Sequence, residues 1–129
     1  MPDSDPLDEA LRMQLAAARL GFDWRETAEL WDKLAEEIGE LQEAMTEGPE
    51  RIRDELGDLL FMVVNLARHL HTDPALALSG ANQKFNSRFN YIAQHIDKLP
   101  EIGDPRRLDA MEKLWQDAKR LERMQDRAE

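Results

Sequence analysis

The sequence predicts an all-α protein, an antiparallel bundle of about five helices with a four-helix core. Three observations lead there: apolar residues recur at spacings of three and four, Gly and Pro collect at a few breaks, and no stretch alternates apolar with polar residues as a half-buried strand would. Asp5-Pro6 opens the first helix and Gly21 closes it. Asp23 is the expected N-cap of the second, with Glu26 three residues on as in a capping box, and Gly48 ends it after Met45 to Glu47. Pro49 begins the third. Thr72-Asp73-Pro74 stops that helix and starts the fourth, Asp73 serving as N-cap and Pro74 entering with its φ already set. The fourth is expected to run to about Leu99, and Asp104-Pro105 repeats the signal for a fifth. All 129 residues fit one domain, with residues 1–5 and 122–129 expected to fray.

Composition bounds what such a bundle does. Cysteine is absent, which excludes disulfides, thiolate zinc sites and cysteine nucleophiles. The acidic opening Met1-Pro2-Asp3-Ser4-Asp5 lacks the basic start and apolar segment of a secretory signal, so the cytoplasm is the expected address. The apolar run from Leu59 to Ala67 is far shorter than the roughly twenty residues that cross a bilayer. A net charge of -10 opposes binding to duplex nucleic acid or an anionic membrane, but not to a nucleotide that arrives with metal ions.

Two carboxylate clusters stand out, Glu36-Glu37-x-x-Glu40 and Glu55-x-x-Asp58, on consecutive helices either side of Glu47-Gly48-Pro49. Their midpoints lie roughly nine residues before and seven after the turn, so folding the helices together would bring them level within about 3 Å. On the second helix Leu30, Leu34, Ile38, Leu41 and Met45 form the expected core stripe, with Glu37 at its edge. On the third, Ile52, Leu56, Leu59, Val63, Leu66 and Leu70 do so, with Glu55 beside them and Asp58 next outward. Ordinary solvated faces, with Lys33, Arg51 and Arg53 as ion-pair partners, would account for any single Glu in so acidic a chain. They account less well for the whole set, because converging acids repel unless a hard divalent cation with oxygen ligands sits among them. His69, His71 and His95 follow Leu66, Arg68 and Ile92 at three residues, so the Glu-x-x-His pairs of a di-iron bundle are missing and zinc is disfavoured. Magnesium, with manganese as a substitute, is the expected ion.

These residues also carry a resemblance. Glu36-Glu37-Ile38-Gly39-Glu40 followed by Glu55-Leu56-Gly57-Asp58 resembles the EExxE…ExxD signature of the all-α nucleoside triphosphate pyrophosphohydrolases. Gly21-Phe22-Asp23-Trp24, the run from Gly57 to Phe61, the run from Val64 to Leu70, and Asn82-x-Lys84-Phe85-x-x-Arg88-Phe89 are similar to the MazG branch, specifically its catalytic C-terminal domain. The likeness extends from about Leu7 to Lys119. It implies hydrolysis of a nucleoside triphosphate to the monophosphate and pyrophosphate. It further implies magnesium on Glu37, Glu40, Glu55 and Asp58, with Glu36 positioning or deprotonating the attacking water. Lys33, Lys84, Arg88 and Lys119 are the expected cations for the phosphates; Lys84 and Arg88, four residues apart, share a helical face. Trp115 and Lys119 are placed near the nucleotide by the resemblance. Arg51, where the family often has Lys, is counted with the substrate-binding residues, and Asp54 stands where Glu often precedes the Glu55 ligand.

The best-known relatives carry two such domains in tandem, and this chain has one. Gly39 and Gly57 inside the acidic motifs suggest a close helix contact, close approach of an ion, or simple tolerance. Phe61, Met62, Val63 and Val64 make the third helix apolar nearly all round, which predicts a homodimer or a dimer of dimers. Asn65 is then available to such an interface or to a local carbonyl. Two rivals are a dUTP/dCTP or phosphoribosyl-ATP hydrolase of narrow specificity and a non-enzymatic helical interaction module. Neither the base nor the sugar is readable from the sequence.

Overall fold

Three helices begin at Asp-Pro steps, each for the same local reason. In the computed structural model, which describes residues 5–128, these are α1 (Pro6–Arg19), α4 (Pro74–Ala93) and α5 (Pro105–Ala128). Asp5 accepts the Leu7 N–H at 2.8 Å, Asp73 those of Ala75 and Leu76 at 2.8 and 3.3 Å, and Asp104 that of Arg106 at 2.9 Å. Each carboxylate satisfies a donor that the helix start leaves unpaired, and the proline has none to lose. Between them lie α2 (Thr27–Ala44) and α3 (Pro49–His69), and a short 3-10 turn (Ile96–Lys98) follows α4. Gly48, at φ 105, makes the reversal that folds α3 back from α2. Among the described residues there is no strand, as an all-α fold requires.

Three boundaries depart from expectation. Asp23 does not cap α2: Glu26 does, in a capping box with Glu29, whose Oε1 accepts the Arg25 and Glu26 N–H groups at 2.9 and 3.1 Å. The pattern of an acid followed by Glu three residues later occurs twice in succession, and Asp23 is drawn to other partners described below. The fourth helix stops at Ala93 rather than Leu99. There the His95 ring turns back onto the Tyr91 carbonyl at 2.8 Å and the His95 amide bonds to Ile92, which tightens the chain into the 3-10 turn. At the far end α5 stays helical through Ala128, across the segment expected to fray, whereas residues 1–4 and 129 lie outside the described residues.

The chain divides into two compact units, one through Leu78 and one from Ser79, the boundary falling within α4. In the first unit both α1 and α2 pack on α3. Its core is Leu30, Leu34 and Met62, with Trp24, Leu59 and Leu66 against it. Leu30, Leu34, Leu59 and Leu66 of the expected stripes do face this core, but the most buried positions are shifted to one side of those stripes. On α2 they comprise Leu30, Leu34, Glu37 and Ala44, leaving Ile38 and Met45 exposed; on α3 they comprise Glu55, Met62, Val64 and Asn65, leaving Leu56, Val63 and Leu70 exposed. Two neighbours on α3 widen its buried arc, and the seam with α2 runs through the carboxylates. In the second unit Phe85 stacks with Phe89 at 5.9 Å between centroids and meets Trp115 at 5.7 Å. A Cβ added at Gly39 or Gly57 meets nothing within 4 Å, so no close helix contact within this structure explains either glycine.

Candidate active site

The turn at Gly48 sets Glu37 of α2 against Glu55 and Asp58 of α3, and one oxygen from each lies within 4.8 Å of the others. Glu37 and Glu55 are only 6% and 5% exposed. Each has a cation from its own helix on one oxygen: Lys33 Nζ lies 3.3 Å from Glu37 Oε1, and Arg51 Nη2 lies 2.8 Å from Glu55 Oε1. The second oxygen of each, Glu37 Oε2 and Glu55 Oε2, is buried and has no hydrogen-bond partner among the described residues. An unpartnered buried carboxylate oxygen is costly, and two of them in one seam are a donor set that fits a cation. The donor set is all carboxylate, the chemistry that suits a hard divalent cation.

Neighbouring acids feel the same crowding. Burial, then the charges of Asp54, Glu37 and Glu55, raise the Asp58 carboxyl above the usual range. The Glu37 charge, then burial and Glu55, do the same to Glu40, which is not among the three converging acids. Glu36 is exposed and pairs with Lys33 at 3.3 Å. Arg51 also reaches Glu47 at 3.2 Å and Asp54 at 3.4 Å, so it spans one face of α3's first turns.

The remaining sequence-predicted residues lie in the second unit. Arg88 grips Glu122 at two points, Nε to Oε1 and Nη2 to Oε2, both 3.0 Å, and its guanidinium sits 5.2 Å from the centre of the Trp115 ring. The Glu122 carboxyl is lowered chiefly by that hydrogen-bonded Arg88, with Lys84 and Lys119 contributing more weakly. Arg88, with Trp115 beside it, thus pairs with an acid that the sequence reading did not single out. Its signal was available: Glu122 falls seven residues after Trp115 and three after Lys119, on the same face of α5.

The profile of the MazG nucleotide pyrophosphohydrolase domain matches residues 25–93, more than half of the chain. The chain belongs to the MazG family. It is 37% identical over 113 residues to the nucleoside triphosphate pyrophosphohydrolase/pyrophosphatase MazG of Thermotoga maritima, covering 88% of this chain and 44% of that protein. To the nucleoside triphosphate pyrophosphohydrolase of Escherichia coli K12 it is 38% identical over 127 residues, 95% of this chain and 48% of that protein. The chain therefore spans about half the length of the curated relatives it matches.

Asp23 has a role in this MazG chain that capping logic missed. Its carboxylate accepts from Arg68 at 2.9 and 3.1 Å and from the Trp24 N–H at 2.8 Å, with the His69 ring at 3.0 Å. Arg68 also donates to Gln14 of α1 at 3.1 Å and to Asn65 at 2.8 Å, while Gln14 donates to the Phe61 carbonyl at 3.0 Å. One guanidinium thereby ties α1, the turn before α2 and α3 together. Arg68 holds the Asp23 carboxyl far below the usual carboxylate range. A depressed acid stabilises the fold above its unfolded pKa of about 3.9, and that contribution is lost as pH falls through the folded value. Asp23→Asn is expected to cost about 1 kcal/mol at pH 7, a figure reduced for partial exposure, and progressively less below about pH 4. Urea melts of both proteins at pH 7 and pH 3 check this; an equal deficit at both values would refute it.

The same network borders a cavity of about 570 Å³ in the first unit, lined by Met13, Gln14, Phe22, Trp24, Phe61 and Met62 among others. Asn65 also lines it; its Oδ1 is taken by Arg68, and its Nδ2 meets the Met62 sulfur at 3.6 Å.

Proposed function

We propose that the chain hydrolyses nucleoside triphosphates to monophosphate and pyrophosphate, using Mg²⁺ or, as a substitute, Mn²⁺. The carrying observation is the pair of buried, partnerless oxygens of Glu37 and Glu55 beside Asp58. Glu37, Glu40, Glu55 and Asp58 are the proposed ligands, and a bound cation would cancel charge on the polyphosphate and acidify or aim a water. Glu36, exposed and hydrogen-bonded to Lys33, positions that water or takes its proton as the new oxygen–phosphorus bond forms and pyrophosphate departs. Once Glu37 and Glu55 have a better partner, Lys33 and Arg51 can turn their charge to phosphate oxygens. Lys84, Arg88 and Lys119 are proposed phosphate contacts, and Trp115 a nucleoside contact.

The cavity supports this reading for the first unit. Met62 and Asn65 stand four and seven residues beyond Asp58, about 6 and 10 Å along α3. That separation suits a nucleoside whose phosphates lie at the acids. An apolar cavity with an amide donor and ample volume imposes little choice of base, which favours broad acceptance of canonical or damaged triphosphates over a narrow dUTP/dCTP or phosphoribosyl-ATP specificity.

We further propose assembly as a homodimer or dimer of dimers. Leu56, Leu60 and Val63 on α3 remain 43–56% exposed, an apolar face that a second copy would cover. Among the described residues no helix is long and apolar enough to cross a membrane.

The test is a panel of nucleoside triphosphates and diphosphates incubated with and without Mg²⁺, the products resolved into monophosphate, pyrophosphate and orthophosphate. Metal-dependent release of pyrophosphate is expected, together with a rise in Tm of a few degrees at Mg²⁺ about tenfold above its Kd. No product and no shift would favour the non-enzymatic interaction module.

A further inference from the structure

We propose that Glu122 is a positioning residue for substrate binding, one that fixes the Arg88 guanidinium so that its unused edge receives a phosphate oxygen of the nucleotide. The inference rests on the proposed triphosphate hydrolysis and adds to it a residue that neither the motifs nor the resemblance assigns.

An arginine side chain carries large rotamer freedom, and binding an anion through it costs that freedom unless the fork is already held. Here two constraints hold it. Glu122 takes the side edge of the fork, Nε and Nη2, through two bonds of 3.0 Å, and the guanidinium carbon sits over the Trp115 ring, 5.2 Å from its centre. The two-point bond to the carboxylate sets the direction of the fork, and the indole beside it limits where the guanidinium can swing. What remains is the end edge: Nη1 has no hydrogen-bond partner among the described residues. A guanidinium presents five N–H groups, so the two bonds to Glu122 leave three, two of them on Nη1. Arg88 and Glu122 both belong to the second unit, so the arrangement comes with its local fold.

The charge makes the assignment testable by sign. An acid beside a group that binds a polyanion works against binding through space, and Glu122 is partly exposed, at 34% of its side chain. If Glu122 were an ordinary surface ion pair competing for Arg88, removing its charge would free the guanidinium and tighten nucleotide binding. If it positions Arg88, removing it loosens the fork and weakens binding despite the gain in electrostatics.

The experiment compares wild type, Glu122→Gln, Glu122→Ala, Arg88→Ala and the double variant Arg88→Ala/Glu122→Ala. It measures steady-state hydrolysis of a triphosphate with Mg²⁺ and calorimetric binding of a non-hydrolysable triphosphate analogue, with circular dichroism to confirm that each variant folds. Glu122→Ala is expected to raise KM and the analogue's Kd about tenfold, the loss of a well-held charged hydrogen bond, with kcat within about threefold of wild type. Glu122→Gln is expected to fall between. In the Arg88→Ala background the second substitution should add nothing, because Glu122 acts only through that guanidinium. A general packing role would instead weaken binding in both backgrounds. An active wild type whose Kd is unchanged or improved by Glu122→Ala overturns the positioning role alone. A wild type that cleaves no triphosphate overturns the proposed function and this inference with it.

Discussion

Glu37→Gln and Glu55→Gln are each expected to lower triphosphate hydrolysis by about a thousandfold or more while leaving the metal-free protein slightly more stable. The loss follows from charge: a carboxamide of the same shape cannot replace an anionic ligand, and a thousandfold corresponds to about 4 kcal/mol of transition-state stabilisation. The gain follows from the same burial that makes the site useful. Each substitution removes one of the charges that raise the Asp58 carboxyl, and it replaces a partnerless buried oxygen with an amide able to donate to a neighbouring acid. Against this stands the lost pairing with Lys33 or Arg51, each an i,i+4 pair on its helix and worth about 0.5 kcal/mol or less. A net gain of about 1 kcal/mol, or a few degrees in Tm without metal, is expected, and the Mg²⁺-dependent rise in Tm should disappear. Retained turnover, or a retained Mg²⁺ response, would show that these two acids are not ligands.

Leu30→Ala should produce the largest loss of stability. Leu30 is fully buried, at 0% exposure, at the centre of the cluster it shares with Leu34 and Met62. Truncation there removes transfer energy and leaves a cavity, together about 3 kcal/mol, which lowers Tm by about 10 °C in a chain of this size. Met45→Ala provides the contrast, because the periodicity assigns Met45 to the same stripe whereas the structure leaves it 69% exposed. A change within about 0.5 kcal/mol is expected at that position. Thermal and urea denaturation of both variants, monitored by helical circular dichroism, decide between the two faces; comparable losses would restore the original stripe.

The two cases mark where reading the sequence succeeds. Asp5, Asp73 and Asp104 act as anticipated because a cap is settled within three residues, by a short acid before a proline that has no N–H to offer. The carboxylate pairing was equally legible, since helix rise and the Gly48 reversal bring the Glu37 and Glu55 levels together whatever the rest of the chain does. Helical spacing put Lys84 with Arg88 on one helix face and Trp115 with Lys119 on another, but Glu122, although it falls on that same face of α5, passed as one acid among many. Asp23 misled for the opposite reason. It satisfies the capping rule, and only the approach of Arg68, 45 residues away in sequence, gives it a stronger partner.

Sequence alone was sufficient for the helical class, the Asp-Pro helix starts and the meeting of two acid motifs, because each depends on covalent geometry and near neighbours. Tertiary structure decided which flank of α2 and α3 turns inward, what Asp23 and Arg68 hold together, and that Glu37 and Glu55 each keep one buried oxygen without a partner. The physical reason is that burial belongs to a surface formed by two helices at once, and a rotation of some tens of degrees, too small to disturb the apolar periodicity, moves a carboxylate from the edge of a core to its interior.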